Sequence, residues 1–329
     1  MRNRKMTAGL CLALLLFLGG CAGKTAKRQF FAMDTVMELT VCGENAEAAA
    51  DAAQTEIFRL DALLSAQDAN SEIARLNAGD PEISGETAEL LRRALELSRL
   101  TDGAFDPTLY PVSEAWGFFS EDRRVPEEAE LRSLLGKTGW QSVRVDAARV
   151  TMPEGFALDP GGIGKGYACA AAKAVLKEAG ARSALLSLGG NVSALGAKPD
   201  GSPWHIAVQH PEGDFLGTVD VTDECVVTSG GYQRFFEKDG VRYHHILDPR
   251  TGRPAESGLS SVSVVSSDDT AADALSTALF VMGREEAERF WRKNGGFEMI
   301  LLTDDGSLYI TQGLTGRFSS GLPFEVICR

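Results

Sequence analysis

The order of strand-like and helix-like segments is the feature of this sequence that most constrains its fold. The two kinds of segment occur in blocks, without the strict alternation that builds a parallel α/β sheet. Amphipathic helices are predicted over residues 44–64 and 86–100, whereas several short β-like runs lie between residues 183 and 243. We therefore predict an α+β fold in which antiparallel sheets are flanked by helices.

The rest of the chain fits the same class. Further predicted elements are helices over 162–179, 269–282 and 285–293, a strand over 260–265, and a closing hairpin of 299–302 with 308–311. Gly180 ends the first of these helices. Because no repeat and no long linker interrupts the chain, residues 30–329 are predicted to form one domain.

The charge of the chain excludes some partners. Its 329 residues include 33 basic and 46 acidic side chains, which gives a formal net charge of −13. A nucleic-acid binder normally presents a basic face to phosphate, so this balance argues against DNA or RNA as a partner. It equally argues against adhesion to an anionic membrane by charge, so any membrane attachment needs another cause.

The N-terminal sequence predicts a different route to membrane attachment. Three basic residues lie at its start, namely Arg2, Arg4 and Lys5. The apolar run over 6–18 is shorter than the about 20 residues that a membrane span needs, so residues 1–20 are predicted to be a signal peptide. The Leu-Gly-Gly before Cys21 resembles a bacterial lipobox, which predicts a lipid on Cys21 and a tether over 21–29. The protein would then lie on the extracytoplasmic face of the cell membrane; a plain signal peptide with a chance cysteine is the alternative.

A glycine-rich turn over residues 157–167 is the first candidate for chemistry. Small residues let the backbone approach a ligand, and the N-terminus of the helix that follows offers free N–H groups to a phosphate. Asp159 precedes the turn and Lys165 adds a positive charge within it. The spacing matches neither a Walker A loop nor a dinucleotide-binding GxGxxG motif. These residues leave two interpretations open, a phosphate-binding turn and a plain tight turn before a helix.

The predicted helix over 269–282 carries the second candidate. One face of it is apolar and contains Ala272, Leu275, Leu279 and Met282. Asp273 and Thr277 fall on nearly the opposite side, one turn apart and next to each other. A carboxylate and a hydroxyl so placed are oxygen ligands that suit Mg²⁺. The alternative is an ordinary solvated helix face.

Two adjacent histidines form the third candidate. His244 and His245 lie at the end of a predicted strand, where neighbouring side chains point to opposite faces and cannot easily share one metal. Either one could act in a pocket as a base or hydrogen-bond donor, or could belong to a structural turn. Residues 101–108, by themselves, predict only a loop, and the absence of a GxSxG motif argues against a serine hydrolase.

Taken in order, these and other short segments resemble the ApbE family of FAD:protein FMN transferases. The matching segments lie at residues 33–35, 71–77, 102–108, 116–118, 159–167, 187–191, 228–230, 245–252 and 272–277. The resemblance runs from about residue 30 to 315, nearly the whole mature chain. It implies a T-fold-like α+β architecture for the flavin transferase domain over 30–329.

The resemblance also implies an activity and a set of site residues. The activity is a Mg²⁺-dependent transfer of FMN from FAD to a Thr or Ser hydroxyl of an acceptor flavoprotein, with release of AMP. The implied FAD contacts are Met33, Ala104, Phe105, Asp106, Asp159, Lys165, His245 and Ile246. The metal would be held by the Gly162 carbonyl and the side chains of Asp273 and Thr277. The chemistry of such a transfer also needs an acceptor for the hydroxyl proton, and His245, Asp273 and a metal-bound hydroxide are the candidates.

Two departures from the family pattern keep other functions open. Gln67 stands where many relatives carry an aromatic side chain, and Pro160 stands where leucine is usual. Proline lacks an N–H, so the turn at Pro160 must form without one. Besides the transferase, we retain an FAD pyrophosphatase that yields FMN and AMP, and a non-catalytic FAD-binding lipoprotein.

Overall fold

The computed structural model describes residues 24–329, so the predicted signal peptide and Cys21 lie outside the described residues. The strands are β1 Thr25–Ala32, β2 Thr35–Cys42, β3 Arg144–Asp146, β4 Arg149–Thr151, β5 Ser183–Leu188, β6 Asn191–Leu195, β7 Trp204–Gln209, β8 Phe215–Val221, β9 Cys225–Gly230, β10 Phe235–Lys238, β11 Val241–His244, β12 Leu259–Ser266, β13 Glu298–Thr303, β14 Leu308–Thr311, β15 Phe318–Ser319 and β16 Glu325–Ile327. The helices are α1 Ala46–Leu64, α2 Glu72–Asn77, α3 Gly85–Leu100, α4 Tyr110–Ala115, α5 Glu128–Leu135, α6 Gly164–Glu178, α7 Asp269–Met282 and α8 Arg284–Asn294.

A nine-stranded sheet forms the centre of the molecule. Its strand order is β1-β2-β5-β6-β9-β12-β13-β14-β16. Neighbouring strands are antiparallel except β14 and β16, which pair in parallel. The predicted α+β class with antiparallel sheets is therefore confirmed.

The central strands are buried on both faces of this sheet. Leu185 and Leu186 are adjacent in β5, yet they belong to two different apolar clusters, and so do Val264 and Val265 in β12. Because side chains alternate along a strand, each face needs its own cover. Helices α1, α6 and α7 pack together on one face, and the small sheet β15-β8-β7 supplies apolar residues to the other.

A third apolar cluster joins two distant segments of the chain. Trp116, at the end of α4, packs against Tyr243 of β11 with ring centroids 5.4 Å apart and the rings tilted by 37°. Its indole N–H donates to the Gly252 carbonyl at 2.7 Å. Leu247 lies in the same cluster. Residues 116–118 and 245–252, two of the segments that resemble the ApbE pattern, are thereby held side by side.

Most differences from the prediction concern short elements. Helices α2 and α4 have six residues each, too few to show a helical period, and neither was predicted. Thr25–Gln29, which the sequence assigned to a tether, instead form the start of β1. In residues 24–329 no helix is both long enough and apolar enough to cross a bilayer.

Candidate active site

The glycine-rich turn before α6 is held at its start by side chains from other elements. Asn77 of α2 accepts from the Leu158 N–H at 2.7 Å and donates to the Leu158 carbonyl at 2.9 Å. The Asp159 N–H donates to the Pro107 carbonyl at 2.8 Å. The Asp159 carboxylate accepts from the Gly161 N–H at 2.8 Å. Burial raises the pKa of Asp159, and the nearby charges of Arg234 and Lys165 oppose that rise.

The turn forms with Pro160 in place. Its carbonyl accepts from the N–H groups of Ile163 at 2.9 Å and Gly164 at 2.7 Å, which begins the helix. The missing N–H of proline is therefore not needed for the turn itself. The turn leads directly into α6, where the Lys165 Nζ lies 3.4 Å from the Gly161 carbonyl.

Helix α7 approaches this turn so closely that only glycine fits between them. A Cβ added to Gly166 would lie 2.7 Å from the Cβ of Asp273. The Gly166 N–H donates to the Asp273 carboxylate at 2.8 Å. Asp273 is only 4% exposed, so the predicted alternative of a solvated helix face is wrong. Helix α7 is buried on nearly all sides because α6 covers the polar side that the sequence left open.

The three predicted metal ligands lie around the same point. A Cβ added to Gly162 would lie 3.8 Å from the Thr277 hydroxyl, which is one turn beyond Asp273. Ser229 of β9 lies 3.4 Å from that hydroxyl and bonds to Ser276 at 2.8 Å. Asp273 forms no ion pair with any residue in 24–329. A buried carboxylate without a cation, beside a hydroxyl and a backbone carbonyl, is a donor set that fits Mg²⁺.

That donor set contains a single carboxylate. Over the described part of the chain, no group of three or more His, Cys, Asp or Glu side chains is arranged to hold a metal ion. A site built from one carboxylate, one hydroxyl and one carbonyl is compatible with that finding. It would leave several positions of a six-coordinate Mg²⁺ to water and phosphate oxygens.

The loop over residues 101–108 reaches the turn through Phe105. The ring of Phe105 is 3% exposed and would lie 3.1 Å from a Cβ on Gly162. The Asp106 carboxylate accepts from the N–H groups of Thr108 at 2.9 Å and Trp140 at 3.1 Å. Burial raises the pKa of Asp106. Asp106 thus holds the loop in shape, whereas Ala104 is half-buried against the main core.

Met33 lies in the turn between β1 and β2. Its φ of 46° and the φ of 60° at Asp34 make this a tight hairpin turn with two left-handed residues. The next residue, Thr35, packs on the turn between β5 and β6, where a Cβ on Gly189 would lie 2.7 Å from the Thr35 hydroxyl. The negative charge of Asp34 acts on Asp159. The Met33 hairpin therefore lies at the same end of the sheet as the turn between β5 and β6.

The two histidines have different surroundings. His244 bonds through Nε2 to the Ala255 carbonyl at 3.2 Å and packs on Phe280 of α7. His245 bonds through Nδ1 to the Arg234 carbonyl at 3.1 Å. Since a carbonyl only accepts, Nδ1 carries the proton and Nε2 is the free acceptor. Burial and the positive charge of Arg234 lower the pKa of His245 to about 3, so the ring is neutral at neutral pH.

The structure adds residues that the sequence did not single out. Arg234 acts on both Asp159 and His245, Asn77 fixes Leu158, and Ser229 contacts Thr277. Ile246, by contrast, is buried in the main core. Arg234 could have been noticed as the basic residue that follows the Thr-Ser-Gly segment at 228–230. Sequence position alone does not reveal that it lies beside residues 75 positions away.

The site is separate from a groove elsewhere on the surface. That groove, of about 600 Å³, is lined by residues such as Asp220, Asp223 and Arg317 and contains none of the predicted site residues. The predicted residues meet instead where α6 begins, α7 passes and two hairpin turns of the main sheet end. They define an α+β protein in which a glycine-rich helix start faces a buried aspartate and a half-buried threonine.

Comparison with known proteins identifies the family. Residues 33–301 match the model of the ApbE family. The FAD:protein FMN transferase of Treponema pallidum is 32% identical over 340 residues, which cover 94% of each chain. The crystal structure of the ApbE protein from Thermotoga maritima superposes with a TM-score of 0.86 at 34% identity, covering 90% of this chain and 100% of that one. The apo form of the flavinyl transferase ApbE from Pseudomonas stutzeri superposes with a TM-score of 0.80 at 32% identity. The match covers 91% of this chain and 98% of that one.

The chain belongs to the ApbE family.

Proposed function

We propose that this chain is a FAD:protein FMN transferase, which moves FMN from FAD to a Thr or Ser hydroxyl of an acceptor flavoprotein and releases AMP. The name of the Treponema pallidum relative, which aligns with 94% of this chain, supports the proposal. The observation that carries it is the buried Asp273 carboxylate, which has no cation among the described residues and faces the N-terminus of α6. Such a site is suited to a metal-bound pyrophosphate.

The metal in this proposal is Mg²⁺. The Gly162 carbonyl, the Asp273 carboxylate and the Thr277 hydroxyl would hold it. When bound, Mg²⁺ neutralises charge on the pyrophosphate and polarises the phosphorus next to riboflavin. The same three residues would also fix the position of the pyrophosphate relative to the start of α6.

The protein's own groups orient FAD and receive the proton. Lys165 and the positive end of the α6 helix dipole attract the pyrophosphate oxygens and favour AMP as a leaving group. The acceptor hydroxyl attacks in line with the departing AMP oxygen. His245 is the better placed proton acceptor, since its Nδ1–H is committed to the Arg234 carbonyl and Nε2 is free. Asp273 is the second candidate for that role.

FAD hydrolysis is the second candidate function. Gln67 lies exposed in the turn after α1, where its N–H donates to the Ser65 hydroxyl at 3.2 Å. The family resemblance implies that an aromatic side chain at this position contacts the flavin or adenine, so glutamine would leave that part of the ligand open to water. Water in place of the acceptor hydroxyl would give free FMN and AMP.

Product analysis distinguishes the candidates. The purified protein is incubated with FAD, Mg²⁺ and an FMN-binding acceptor domain, and products are resolved by mass spectrometry. A transferase adds the mass of FMN to the acceptor, and Asp273→Ala abolishes that product while Asp304→Asn, on an exposed turn, does not. Free FMN without labelled acceptor would instead identify a pyrophosphatase, and intact FAD a binding protein.

The location is part of the same proposal. A lipid on Cys21 would hold the protein on the extracytoplasmic face of the bacterial membrane, where acceptor flavoproteins with exposed hydroxyls are reached. The full-length protein and its Cys21→Ser variant are compared by cell fractionation. We expect the wild type in the membrane fraction and the variant in the soluble fraction, and equal membrane retention of both would contradict the anchor.

A further inference from the structure

The buried side chain of Asn191 has a hydrogen-bond donor without a partner. Asn191 begins β6 and is 2% exposed. Its Nδ2 is buried, and no group among residues 24–329 accepts a hydrogen bond from it. An unpaired buried donor destabilises a fold, so its presence calls for an explanation. The family resemblance covers residues 187–191 but implies no site residue there.

Asn191 faces the helices that carry the candidate active site. Side chains two residues apart along a strand point to the same side of the sheet, so Asn191 and Ser193 share a face. That face is the one covered by α7, because the Ser193 hydroxyl donates to the buried Asp269 carboxylate at the start of the helix. The unpaired amide therefore points toward α7.

The neighbouring strand β9 runs in the same direction as α7. At the start of the strand, the Cys225 thiol donates to the Ser266 carbonyl at 3.2 Å, just before the helix begins. Near the end of the strand, Ser229 bonds to Ser276 at 2.8 Å, in the second half of the helix. Positions along β9 can therefore be matched to positions along α7.

The register of β6 places Asn191 level with Asp273. Strand β6 is antiparallel to β9, with Ser193 opposite Cys225 and Asn191 opposite Val227. The step from Ser193 to Asn191 thus follows α7 from its start toward its middle. Two strand residues advance about 6.6 Å, and the four helical residues from 269 to 273 advance about 6 Å. The unpaired amide is therefore level with the carboxylate that has no cation among the described residues.

We propose that Asn191 is a further FAD-binding residue, whose side-chain amide donates a hydrogen bond to an oxygen of the pyrophosphate held beside Asp273. This inference rests on the proposed function, because it takes FAD as the ligand. An amide suits this place, since it supplies a donor to phosphate without a positive charge that would compete with a metal ion for Asp273. On the same strand face, Ser193 is paired within the fold and Asn191 is available to a ligand.

Binding and stability measured on the same variants test the inference. The full-length protein, Asn191→Leu and Asn191→Ala are compared by thermal unfolding without FAD and by fluorescence titration with FAD in the presence of Mg²⁺. Leucine keeps the branched shape of asparagine but lacks its polar atoms. Because no hydrogen bond of Nδ2 is lost, Asn191→Leu should unfold no lower than the wild type. The Kd for FAD should rise about tenfold or more in both variants, the scale of a hydrogen bond to a charged group.

Ser193→Ala provides a matched control on the same face of β6. Its hydroxyl is committed to Asp269, so the variant should unfold at a lower temperature and keep the wild-type Kd for FAD. A wild-type Kd for FAD in Asn191→Ala would overturn the role of Asn191, whether or not the leucine variant folds. An equal loss of FAD affinity in Ser193→Ala would also overturn it, because the effect would then come from the strand. A wild-type protein that binds no FAD would refute the proposed function instead, so the two failures are distinguishable.

Discussion

Two carboxylates one turn apart on α7 differ in whether a cation of the protein compensates their charge. Asp269 is 3% exposed and Asp273 is 4% exposed, and both face α6. Asp269 has its own cation, the Lys173 Nζ at 2.6 Å, and a hydrogen bond from Ser193. Among residues 24–329, the Asp273 carboxylate has only the Gly166 N–H as a partner. The first charge is compensated within the fold, whereas the second is left for a ligand.

The comparison separates stability from function along a single helix. A buried ion pair with a further hydrogen bond holds α6 and α7 in register, which is a structural task. A buried carboxylate without a cation costs folding free energy, so its presence points to a use. Changes at Lys173 and at Asp273 should therefore have different consequences, although the two sites lie on the same pair of helices.

The largest effect is expected from Lys173→Met. The methionine fills the space but leaves the Asp269 carboxylate buried without a partner, which should lower the free energy of unfolding by about 3–5 kcal/mol. Urea unfolding measures this. Arg93→Met is the control, since Arg93 pairs with Asp268 in a half-exposed ion pair at 2.8 Å and should lose less than about 1 kcal/mol. Equal losses of unfolding free energy in Lys173→Met and Arg93→Met would contradict a structural role of the buried ion pair.

Asp273→Asn should lower activity strongly and change stability little, the opposite of what we expect for Lys173→Met. The amide can still accept from the Gly166 N–H, so stability should change by less than about 1 kcal/mol. Without the negative charge, kcat for flavin transfer should fall about 100-fold or more. Mass spectrometry of the reaction products measures kcat, and thermal unfolding measures the change in stability. A variant that remains fully active would remove Asp273 from the chemistry.

Gly166→Ala tests the contact that joins the two carboxylates. The added methyl group would meet Asp273 and the backbone of α7, so we expect a loss of about 1–3 kcal/mol together with reduced activity. Gly164→Ala is the control, because a Cβ at Gly164 meets nothing within 4 Å. It should stabilise the protein by up to about 1 kcal/mol. Similar unfolding midpoints for the two variants would contradict the close approach.

The last effect is absent at neutral pH and develops only in acid. His245 has a pKa of about 3 in the folded protein and an ordinary value of about 6.5 when unfolded. Between these values the unfolded chain binds more protons, so the free energy of unfolding falls as the pH falls from about 6.5 toward 3. His245→Gln removes this contribution and should make the fall shallower. Urea unfolding across that range checks it, and identical slopes would show that the ring is not shielded.

Local signals explain what the sequence predicted well. Helix α7 was predicted with its observed bounds, because the Asp268 side chain accepts from the Ala271 N–H at its start and Gly283, with φ of 76°, ends it. The adjacency of Asp273 and Thr277 follows from helical periodicity alone. The order of elements likewise predicted the antiparallel α+β class.

Long-range packing explains what the sequence could not predict. The burial of Asp273 depends on Gly166, more than 100 residues away in the chain. The pairing of Lys173 with Asp269, and the contact of the Arg234 carbonyl with His245, arise only when separate elements meet. Charge type and spacing indicate which residues are chemically able to act, but compensation of each charge is a property of the fold.

Mg²⁺ binding in the presence of FAD tests the central claim most directly. Isothermal titration calorimetry is performed on the wild type, Asp273→Asn and Lys173→Met at a temperature where all three are folded. If Asp273 is the charge left for a cation, the wild type and Lys173→Met bind Mg²⁺ with similar affinity, and Asp273→Asn binds it at least tenfold more weakly. Equal Mg²⁺ affinity in the wild type and Asp273→Asn would contradict the account.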